Sequence, residues 1–588
     1  MSYFTRFRRT PQSPAGVSRR RRVAAGVLTV LAAVLVFLAL VVPDQITRLP
    51  AGSSVPAAFV RIPIEALAAL ALLIVLPARA RGIVAGVLGA VLGLLTIIKV
   101  IDMGFYTILA RQFDPVLDWP LFADAYRFVK DSFGRPAAIA AIAGAILLAA
   151  GVPALMTLAV RRLAAVAAAH RRVSTRGVAA TSLVWLACAL LGTSFVPTVY
   201  VASDSAAVLA HDNVLKVPAA LQDRREFAAE AADDAFRDVP AEQLLTGLRG
   251  KDVVFTFIES YGRSAIEDPK LNRRVDATLA DGTRQLTADG FSARSGFLTS
   301  PTTGGGSWLA HATFHSGVWI NNQQRYRSLV SGERLTLTSA FSKASVLSRA
   351  AAGRPDGGSS AWQTIGVEPG ITYAWPEGRF YDFDRIYDSH TLGYHGPSFS
   401  WATMPDQFTL KSFTDQEYTK PGRDPLMAEV TFVSSHTPWA PIPALVDWDD
   451  IGDGSIYTAQ QRGAKSAGEV WKDAVAVREA YATSVKYSID SVVSWVREYG
   501  DDNLVLVMLG DHQPAPIVVG ATASHDVPIS MVTRDPAVLD RIAGWGWNAG
   551  LEPAPQAPVW PMNDFRDKFL TAFGPQNDPP LPYSPPKR

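Results

Sequence analysis

The sequence has a single cysteine among its 588 residues, and that residue, Cys188, lies inside an apolar segment. A lone thiol cannot form an intrachain disulfide or a metal cluster built on several cysteines. A cysteine among apolar residues is also a poor nucleophile, because burial disfavours the thiolate. This shortage argues against a disulfide scaffold, a cysteine-based metal site and a thiol enzyme.

The sequence also lacks an excess of charge of either sign. Its 56 Lys and Arg residues are nearly balanced by 54 Asp and Glu residues, which leaves a formal net charge of +2. Proteins that bind nucleic acid through its phosphates usually carry a strong basic excess. We therefore expect no nucleic-acid partner.

Long apolar runs, by contrast, are abundant in the first 200 residues. An α-helix needs about 20 apolar residues to cross a bilayer. The first run is too long for a signal-peptide core, and no Ala-x-Ala cleavage site with polar sequence after it is evident, so we expect it to stay in the membrane. The sequence predicts five membrane-spanning helices, near residues 23–42, 57–76, 83–100, 137–160 and 178–195.

Arginines cluster in every second segment outside these runs: before the first run (residues 6–22), between the second and third (79–81) and between the fourth and fifth (161–176). The intervening loops at 43–56 and 102–136 are close to charge balance. The positive-inside rule then places the amino terminus in the cytoplasm. Five crossings put everything after about Thr198 outside the cytoplasm, which predicts a multi-pass protein of the cell membrane.

The loop at 102–136 is rich in aromatic residues: Phe105, Tyr106, Trp119, Phe122, Tyr126 and Phe128. This composition is typical of an interfacial amphipathic segment. The segment could help to hold a lipid, although aromatic belts are common wherever a protein meets a membrane interface.

The composition divides the chain into five parts. A basic cytoplasmic tail at 1–22 precedes a transmembrane domain at 23–197. An Ala- and Asp-rich, partly helical connector follows at 198–250. Short apolar runs between Gly and Pro turns, with helical patterns among them, predict an α/β sheet domain at 251–574. A Pro-rich tail at 575–588 ends the chain.

Two apolar runs of the sheet domain end in residues that can bind a metal. Residues 504–510 stop at Gly510 and are followed by Asp511 and His512, and residues 252–258 are followed by Glu259. Such runs predict strands buried on both faces of a parallel sheet, and ligand sites collect at the carboxyl edge of such sheets. Carboxylates and an imidazole suit a borderline divalent metal. The alternative is that Asp511 caps a turn and His512 is a polar loop residue.

A third run, residues 428–433, ends shortly before His436. Apolar residues at helical spacing between 479 and 499 predict an amphipathic helix that packs on the sheet. A strand, a helix and a strand in this order, with polar residues where the strands end, are consistent with the predicted α/β sheet domain.

A glycine-rich loop precedes Ser307, the first residue of a predicted helix. A serine there can simply cap the helix. Free N–H groups at a helix amino terminus also favour an anionic group, and a metal alongside would make the hydroxyl a nucleophile for phosphoryl chemistry. Thr302 and Thr303 are the other candidates. His311 and His315, on the following turns, could line the site or serve as hydrogen-bonded structural residues.

Together these features resemble the lipoteichoic acid synthase branch of the sulfatase and alkaline phosphatase superfamily. The resemblance rests on the amino-terminal spans, Glu259-Ser260 after a strand, the glycine-rich loop, the Ser-x-His-x-Pro segment around His436 and the terminal Gly-Asp-His. It implies an extracytoplasmic domain with a mixed, mainly parallel sheet flanked by helices.

The resemblance also implies roles for particular residues. One divalent metal, typically Mn²⁺ and otherwise Mg²⁺ or Zn²⁺, would be held by Glu259, Asp511, His512 and the oxygen of Ser307. His436 would contact the substrate phosphate or protonate the leaving alkoxide. Trp375 and Arg379 would bind a glycerophosphate head group, with Arg385 as a competing candidate for the arginine.

The chain departs from that branch at the nucleophile, where Gly306-Ser307-Trp308 replaces a threonine followed by Ser-Asp. The Cys/Ser-x-Pro-x-Arg pattern of true sulfatases is absent from residues 251–574, which disfavours sulfate-ester hydrolysis.

The sequence thus predicts a membrane-bound, metal-dependent phosphotransferase. It would move a phosphoglycerol-type group from a lipid donor to a glycolipid or cell-envelope polysaccharide through a phosphoryl-serine. The alternatives are a phosphodiesterase or phosphatase that uses the same site, and a non-catalytic membrane scaffold.

Overall fold

Apolar helices make up most of the amino-terminal third of the chain, and a β-sheet with surrounding helices follows. The computed structural model describes residues 19–43, 59–196, 199–351 and 361–575. These residues belong to two units, one formed by Met1–Met103 with Ala141–Leu215 and the other by Gly104–Ala140 with Lys216–Arg588. The two predicted tails lie almost entirely outside the described residues.

In chain order the helices are α1 (Arg19–Val41), α2 (Ile64–Val75), α3 (Ala78–Leu109), α4 (Leu121–Phe133), α5 (Arg135–Ala169), α6 (Arg171–Leu191), α7 (Ser205–Ala232), α8 (Ser264–Glu267), α9 (Asn272–Ala288), α10 (Ser307–Ser316), α11 (Gln323–Val330), α12 (Leu337–Ala351), α13 (Asp406–Phe413), α14 (Tyr457–Gly463), α15 (Ala467–Val470), α16 (Ala474–Tyr499), α17 (Pro516–Val519), α18 (Pro536–Arg541) and α19 (Asp564–Ala572). The strands are β1 (Ile62–Pro63), β2 (Ser194–Val196), β3 (Val199–Tyr200), β4 (Ala202–Ser203), β5 (Asp252–Ile258), β6 (Ser292–Thr299), β7 (Gln363–Glu368), β8 (Arg385–Asp388), β9 (Leu426–Thr431), β10 (Leu504–Gly510), β11 (Asp526–Thr533), β12 (Asn548–Ala549) and β13 (Val559–Pro561).

Among the described residues, four helices are long and apolar enough to cross a membrane: α1, α3, α5 and α6. The span predicted at 57–76 contains only α2, whose 12 residues reach about 18 Å against a hydrocarbon core of about 30 Å. Pro63 precedes this helix, and Leu76, which is followed by Pro77, is already extended. Prolines at both ends therefore limit its length. The count of five spans is not confirmed, and the orientation derived from it remains a prediction.

Among the described residues of the second unit, nine strands form one sheet in the order β12-β6-β11-β10-β5-β9-β7-β8, with β13 also paired to β6. The five strands from β10 to β8 in this order are parallel. Strand β11 runs antiparallel to both of its neighbours, β10 and β6. The sheet is therefore mixed and mainly parallel, as the resemblance implied.

The strands and the helix predicted for this domain are present. The runs 252–258 and 504–510 form β5 and β10, and every residue of both strands is buried. The third run forms β9, which begins two residues earlier than predicted. The predicted helix at 479–499 lies within α16, whose first turn is capped by the side chain of Asp473.

Helices cover both faces of the sheet. Alternate residues of β5 point to opposite sides: Val254 and Ile258 pack in a core with α9, α13 and α16. Val253 and Phe255 pack in a second core with α10, α12 and α19. Because both faces are covered, polar groups of the central strands reach a cavity or solvent only beyond the strand ends.

The region predicted as a connector at 198–250 has two different parts. Its first part contains helix α7, as the partly helical composition suggested. Its last part, from Phe236 to Leu248, places apolar side chains in the same core as Val253 and Phe255. The packed sheet domain therefore begins before residue 251.

Candidate active site

Three residues with metal-binding side chains meet where β5 and β10 end. The two strands pair in register up to Gly510 opposite Ile258, so the residues that follow emerge side by side. Glu259, Asp511 and His512 each offer a ligand atom within 4.8 Å of the others, and all three are buried. The Nε2 atom of His512 lies 3.4 Å from Glu259 Oε1 and 3.5 Å from Asp511 Oδ2.

Backbone groups fix the orientation of these side chains. Asp511 Oδ1 accepts hydrogen bonds from the backbone N–H groups of Ser260 and His512, both at 2.7 Å. The Nδ1 atom of His512 lies 2.8 Å from the carbonyl oxygen of Gln513, which can only accept. That contact assigns a proton to Nδ1 and leaves Nε2 as the ring atom that faces the cluster, which is the orientation that a metal-binding histidine requires.

The chemistry of this cluster fits a divalent cation. Asp511 Oδ2 is buried and has no hydrogen-bond partner among the residues that the structure describes. Burial and the neighbouring carboxylate of Glu259 raise the pKa of Asp511 to about 6. Two carboxylates held together away from water repel each other, and a cation between them relieves that repulsion. Carboxylate oxygens and one imidazole suit Mn²⁺, Zn²⁺ or Mg²⁺.

Ser307 reaches this cluster from the first turn of α10. Its Oγ donates a hydrogen bond to Glu259 Oε2 at 2.9 Å and lies 3.2 Å from His512 Nε2. The cap residue of the helix is Gly306, with φ +82°, and within the described part of the chain no side-chain hydrogen bond caps the turn. The alternative that Ser307 serves as the helix cap is therefore not what the structure has.

The glycine-rich loop lets two backbone carbonyl groups approach Gly304 closely. A side chain at Gly304 would place its Cβ 1.7 Å from the carbonyl oxygen of Ile108, so only glycine fits there. Gly304 N also donates to the carbonyl of Gln513, which ties the loop to the segment after His512. Of the two threonines considered as nucleophiles, Thr302 donates its hydroxyl to the carbonyl of Gly305 and Thr303 forms a backbone bridge with Gln513.

His436 lies in the loop after β9. Ser435, its neighbour, donates its hydroxyl to the backbone carbonyl of Glu259, which joins this loop to the end of β5. The His436 ring stacks on Trp401 at 3.6 Å between centroids, and the ring of Phe128 is 6.3 Å away.

Burial lowers the pKa of His436 to about 4, with a smaller contribution of the same sign from His512. The imidazole is therefore neutral near pH 7. Its Nδ1 faces the backbone carbonyl of Thr437, which assigns the proton to Nδ1. Nε2 is then a hydrogen-bond acceptor.

The structure does not bring Arg379 to the metal-binding cluster. Trp375 precedes a 3₁₀ turn at Pro376–Tyr381 and packs against Tyr381 at 5.5 Å between ring centroids. Arg379 lines a separate cavity of about 300 Å³ with Arg237 and Lys343. The competing Arg385 is paired with Glu417 at 2.8 Å. Head-group binding by Trp375 and Arg379 remains a prediction.

A second buried group lies next to the cluster and was only partly visible in the sequence. Glu429 of β9 contacts His311 Nδ1 through one carboxylate oxygen and His315 Nε2 through the other, both at 2.8 Å. Glu429 overcomes the effect of burial and raises the pKa of His311 to about 9. The turn spacing drew attention to the two histidines, whereas Glu429 is hidden inside an apolar run.

The sequence also gave no signal for the aromatic surroundings of His436. Trp401 is distant from His436 in the chain and belongs to a segment without a motif, and the aromatic composition around Phe128 predicts an interfacial segment rather than a contact with His436. Ring contacts of this kind are set by tertiary packing, so the spacing of residues along one element does not reveal them.

No protein-family model matches the sequence, and the search of curated proteins gave no match. Solved structures do match. The lipoteichoic acid synthase LtaP from Listeria monocytogenes aligns with 57% of this chain and 75% of its own length, at 14% identity and a TM-score of 0.35. The phosphoglycerol transferase GacH from Streptococcus pyogenes, in complex with sn-glycerol-1-phosphate, aligns with 59% of this chain and 79% of its own length, at 10% identity and a TM-score of 0.33.

A protein of the alkaline phosphatase superfamily from Vibrio parahaemolyticus aligns with 60% of this chain and 75% of its own length, at 13% identity and a TM-score of 0.33. These structures include members of the group that the sequence motifs resemble. At such TM-scores no activity is taken from them, and the function of this chain has to be argued from its own site.

Proposed function

We propose that this chain is a metal-dependent phosphotransferase that uses Ser307 as its nucleophile. The observation that carries the proposal is the position of the Ser307 hydroxyl, which is 2.9 Å from Glu259 and 3.2 Å from His512 at the first turn of a helix. A hydroxyl beside a metal-binding cluster and a helix amino terminus suits attack on a phosphorus atom, because free N–H groups and the helix dipole favour the phosphate charge.

Glu259, Asp511, His512 and the oxygen of Ser307 would hold one divalent metal ion, with Mn²⁺ as the first choice and Mg²⁺ or Zn²⁺ as alternatives. When bound, the ion lowers the pKa of the serine hydroxyl and neutralises charge on the transferring phosphate. The unpartnered oxygen of Asp511 supports this assignment. So does the Nε2 atom of His512, which lies 3.4 Å from Glu259 Oε1 and 3.5 Å from Asp511 Oδ2.

The reaction has two halves. In the first, Ser307 Oγ gives up its proton to solvent and forms a bond to phosphorus while the bond to the lipid alkoxide breaks, and that alkoxide takes up one proton from solvent. In the second, an acceptor hydroxyl gives up one proton and attacks the phosphoryl-serine, and the departing Ser307 oxygen takes up one proton. We assign the proton transfer of the second half to His436, because Nε2 of its neutral ring can accept the proton of the attacking hydroxyl and return it to Ser307.

A phosphodiester of a membrane lipid such as phosphatidylglycerol is our proposed donor, and a glycolipid or cell-envelope polysaccharide is the proposed acceptor. The four apolar helices support a membrane-bound substrate, because they can keep the chain at a bilayer. We further propose that the catalytic domain lies outside the cytoplasm, where such acceptors are found.

Intact-mass spectrometry of the full-length protein in lipid nanodiscs tests the proposal. The protein is incubated with Mn²⁺ and phosphatidylglycerol, and the His436→Ala variant is used to slow the second half. We expect a phosphoglycerol-sized adduct on the peptide that contains Ser307, and we expect no adduct in Ser307→Ala. Thr302→Val and Thr303→Val are the matched controls and should still form it.

An adduct that persists in Ser307→Ala, or that maps to either threonine, would contradict the nucleophile assignment. The fate of the adduct separates transfer from hydrolysis. Its loss to an added acceptor alcohol supports a transferase, whereas equal release of glycerol phosphate to water with and without acceptor supports a phosphodiesterase.

A further inference from the structure

The segment between α3 and α5 belongs to the same unit as the sheet domain, although candidate membrane spans flank it in the sequence. Within this unit, the carbonyl oxygen of Ile108 approaches Gly304 so closely that no side chain fits there. Further along, the ring of Phe128 contacts His436, and the Arg127 guanidinium lies 4.2 Å from the centre of the Tyr373 ring. The segment therefore forms part of the surroundings of the candidate site.

Contacts among its own aromatic side chains stabilise this segment. Phe113 is buried and is surrounded by the rings of Phe105, Trp119 and Phe122 at 5.1, 6.0 and 5.8 Å between centroids. Lys216 of α7 donates to the Phe113 carbonyl at 2.7 Å. A small aromatic core thus joins the end of α3, the following loop and the start of α4, and Lys216 ties it to α7.

Helix α4 has two different sides. Phe122, Tyr126, Val129 and Phe133 follow the spacing i, i+4, i+7 and i+11, which puts them in one stripe. Arg127 and Phe128, which contact Tyr373 and His436, lie on roughly the opposite side, and the edge of the Phe128 ring also reaches Phe133 at 6.5 Å between centroids. Among the stripe residues, Phe122 is 41% exposed and Phe133 is 61% exposed, and Trp119, just ahead of the helix, is 61% exposed.

Exposed aromatic side chains in such a stripe need an apolar or interfacial partner. The chain itself indicates which one. Both ends of the segment continue into helices that are long and apolar enough to cross a membrane, Ala78–Leu109 and Arg135–Ala169. Where two such helices both cross a bilayer, a 25-residue stretch between them is kept close to the bilayer surface, and aromatic residues are favoured there. Asp124 and Asp131 balance Arg127 and Lys130 on α4, so attraction to anionic lipids is not required.

We propose that the segment Gly104–Ala140 is the lipid-access wall of the candidate site. Its aromatic stripe and Trp119 lie among the phospholipid head groups, and the opposite side of α4 presents Phe128 and Arg127 to the phosphodiester of a lipid that approaches Ser307. This inference rests on the proposed function for the identity of the reaction, but the contact with the bilayer can be measured without it.

The first measurement is independent of activity. A spin label is attached to full-length Cys188→Ala protein carrying Phe133→Cys, in nanodiscs that contain phosphatidylglycerol. We expect collisions with oxygen to exceed those with a water-soluble nickel chelate. A label at Val475→Cys, which is 57% exposed in the same unit, is the aqueous control. Accessibility at 133 equal to the control, or spin–spin broadening that indicates a second copy on the stripe, would overturn the proposal.

The second measurement compares two substrates. Phe133→Ser, at the more exposed stripe residue outside the aromatic core, is expected to lower turnover of phosphatidylglycerol in nanodiscs about tenfold, which corresponds to the loss of about 1.4 kcal/mol of interfacial burial. Cleavage of a water-soluble nitrophenyl phosphodiester is expected to stay within about twofold of wild type. Val475→Ser with Val559→Ser removes apolar surface elsewhere on the unit and should change neither rate.

Equal loss on both substrates would show that the stripe only maintains the fold, and no loss on either would show that it does not deliver lipid. Both results overturn the proposal. If wild-type protein cleaves neither substrate while the label at 133 is in the head-group layer, the proposed reaction fails and the membrane contact stands.

Discussion

Glu259 and Asp511 follow two strands that pair in register over seven residues, whereas His436 and Phe128 reach the candidate site from a loop and from a segment between two apolar helices. The strand-end side is held by backbone hydrogen bonds, for example those from Ser260 and His512 to Asp511 Oδ1. The loop side is held mainly by ring contacts, such as that between His436 and Trp401.

This difference has a physical consequence. Backbone pairing in a sheet buried on both faces fixes positions to a fraction of an ångström, which metal coordination and in-line attack require. Loops held by ring packing can adjust, which suits the recognition of a bulky lipid and the binding and release of two different alcohols. We therefore expect changes on the strand-end side to abolish chemistry, and changes on the loop side to alter how substrates are bound and how protons move.

The largest effect is expected for Asp511→Asn. The amide oxygen can still accept the hydrogen bonds from Ser260 and His512, so the fold should be kept. The charge that faces Glu259 is lost, and with it the affinity for a divalent cation. We expect transfer to fall at least about a thousandfold. In wild type, saturating Mn²⁺ should stabilise the fold by about 3 kcal/mol, and in the variant it should not.

The check is metal analysis together with thermal unfolding of the full-length protein, with and without Mn²⁺. Without metal, the variant should unfold at the same temperature as wild type or higher, because the repulsion between two buried carboxylates is gone. A variant that binds Mn²⁺ as tightly as wild type would contradict the assignment of Asp511 as a metal ligand.

A smaller effect, on stability rather than on chemistry, is expected for Glu429→Gln. Glu429 is the counter-charge for His311 and His315, and all three side chains are buried. Breaking a buried ion pair from one side typically costs about 3–5 kcal/mol. The result is measured as a drop in the apparent unfolding temperature near pH 7. Ser484→Ala, at a buried position in α16, is a control for the general sensitivity of the core.

The pH dependence makes this prediction specific. Because Glu429 raises the pKa of His311 to about 9 from 6.5, the pair stabilises wild type fully below pH 6.5 and progressively less as pH rises through 9. The deficit of Glu429→Gln should therefore shrink above pH 9. A deficit that is the same at pH 7 and pH 10 would mean that Glu429 contributes by packing alone.

The difference between the strand-end side and the loop side also explains how much of the fold and of the candidate site the sequence could predict. Strands β5, β9 and β10 and the convergence of Glu259 with Asp511 follow from local rules, since a buried strand needs a continuous apolar run and parallel strands end at one edge. The position of Ser307 at a helix start after three glycines also follows from local signals, whereas its role as nucleophile remains a prediction. These local rules do not predict which loops meet at the carboxyl edge of the sheet.

Two features illustrate this limit. Arg379 is assigned through the family resemblance, and the structure shows only that it lines a cavity with Arg237 and Lys343, so its role in head-group binding remains a prediction. The segment with Phe128 was assigned to the membrane part because apolar runs flank it, whereas its contacts are with the sheet domain unit. Both outcomes depend on tertiary packing between residues that are far apart in sequence.

The smallest effect is expected on the loop side, from the titration of His436. Burial lowers the pKa of its imidazole to about 4 in the folded protein, against 6.5 when it is exposed. Between these values the unfolded chain binds a proton that the folded chain does not, so the stability of wild type should fall as pH decreases from about 6.5 to about 4. The contribution is at most about 1.4 kcal/mol per pH unit.

The measurement is the unfolding temperature of EDTA-treated full-length protein between pH 7 and pH 4.5, for wild type and His436→Gln. Glutamine does not titrate, so the variant should lose less stability than wild type over this range and should show no such advantage between pH 7 and pH 8. His395→Gln, an exposed histidine in the same unit, is the control and should follow wild type. Parallel curves for wild type and His436→Gln would mean that the imidazole is solvated. The loop side would then be open enough for water to compete with an acceptor alcohol, which would favour hydrolysis over transfer.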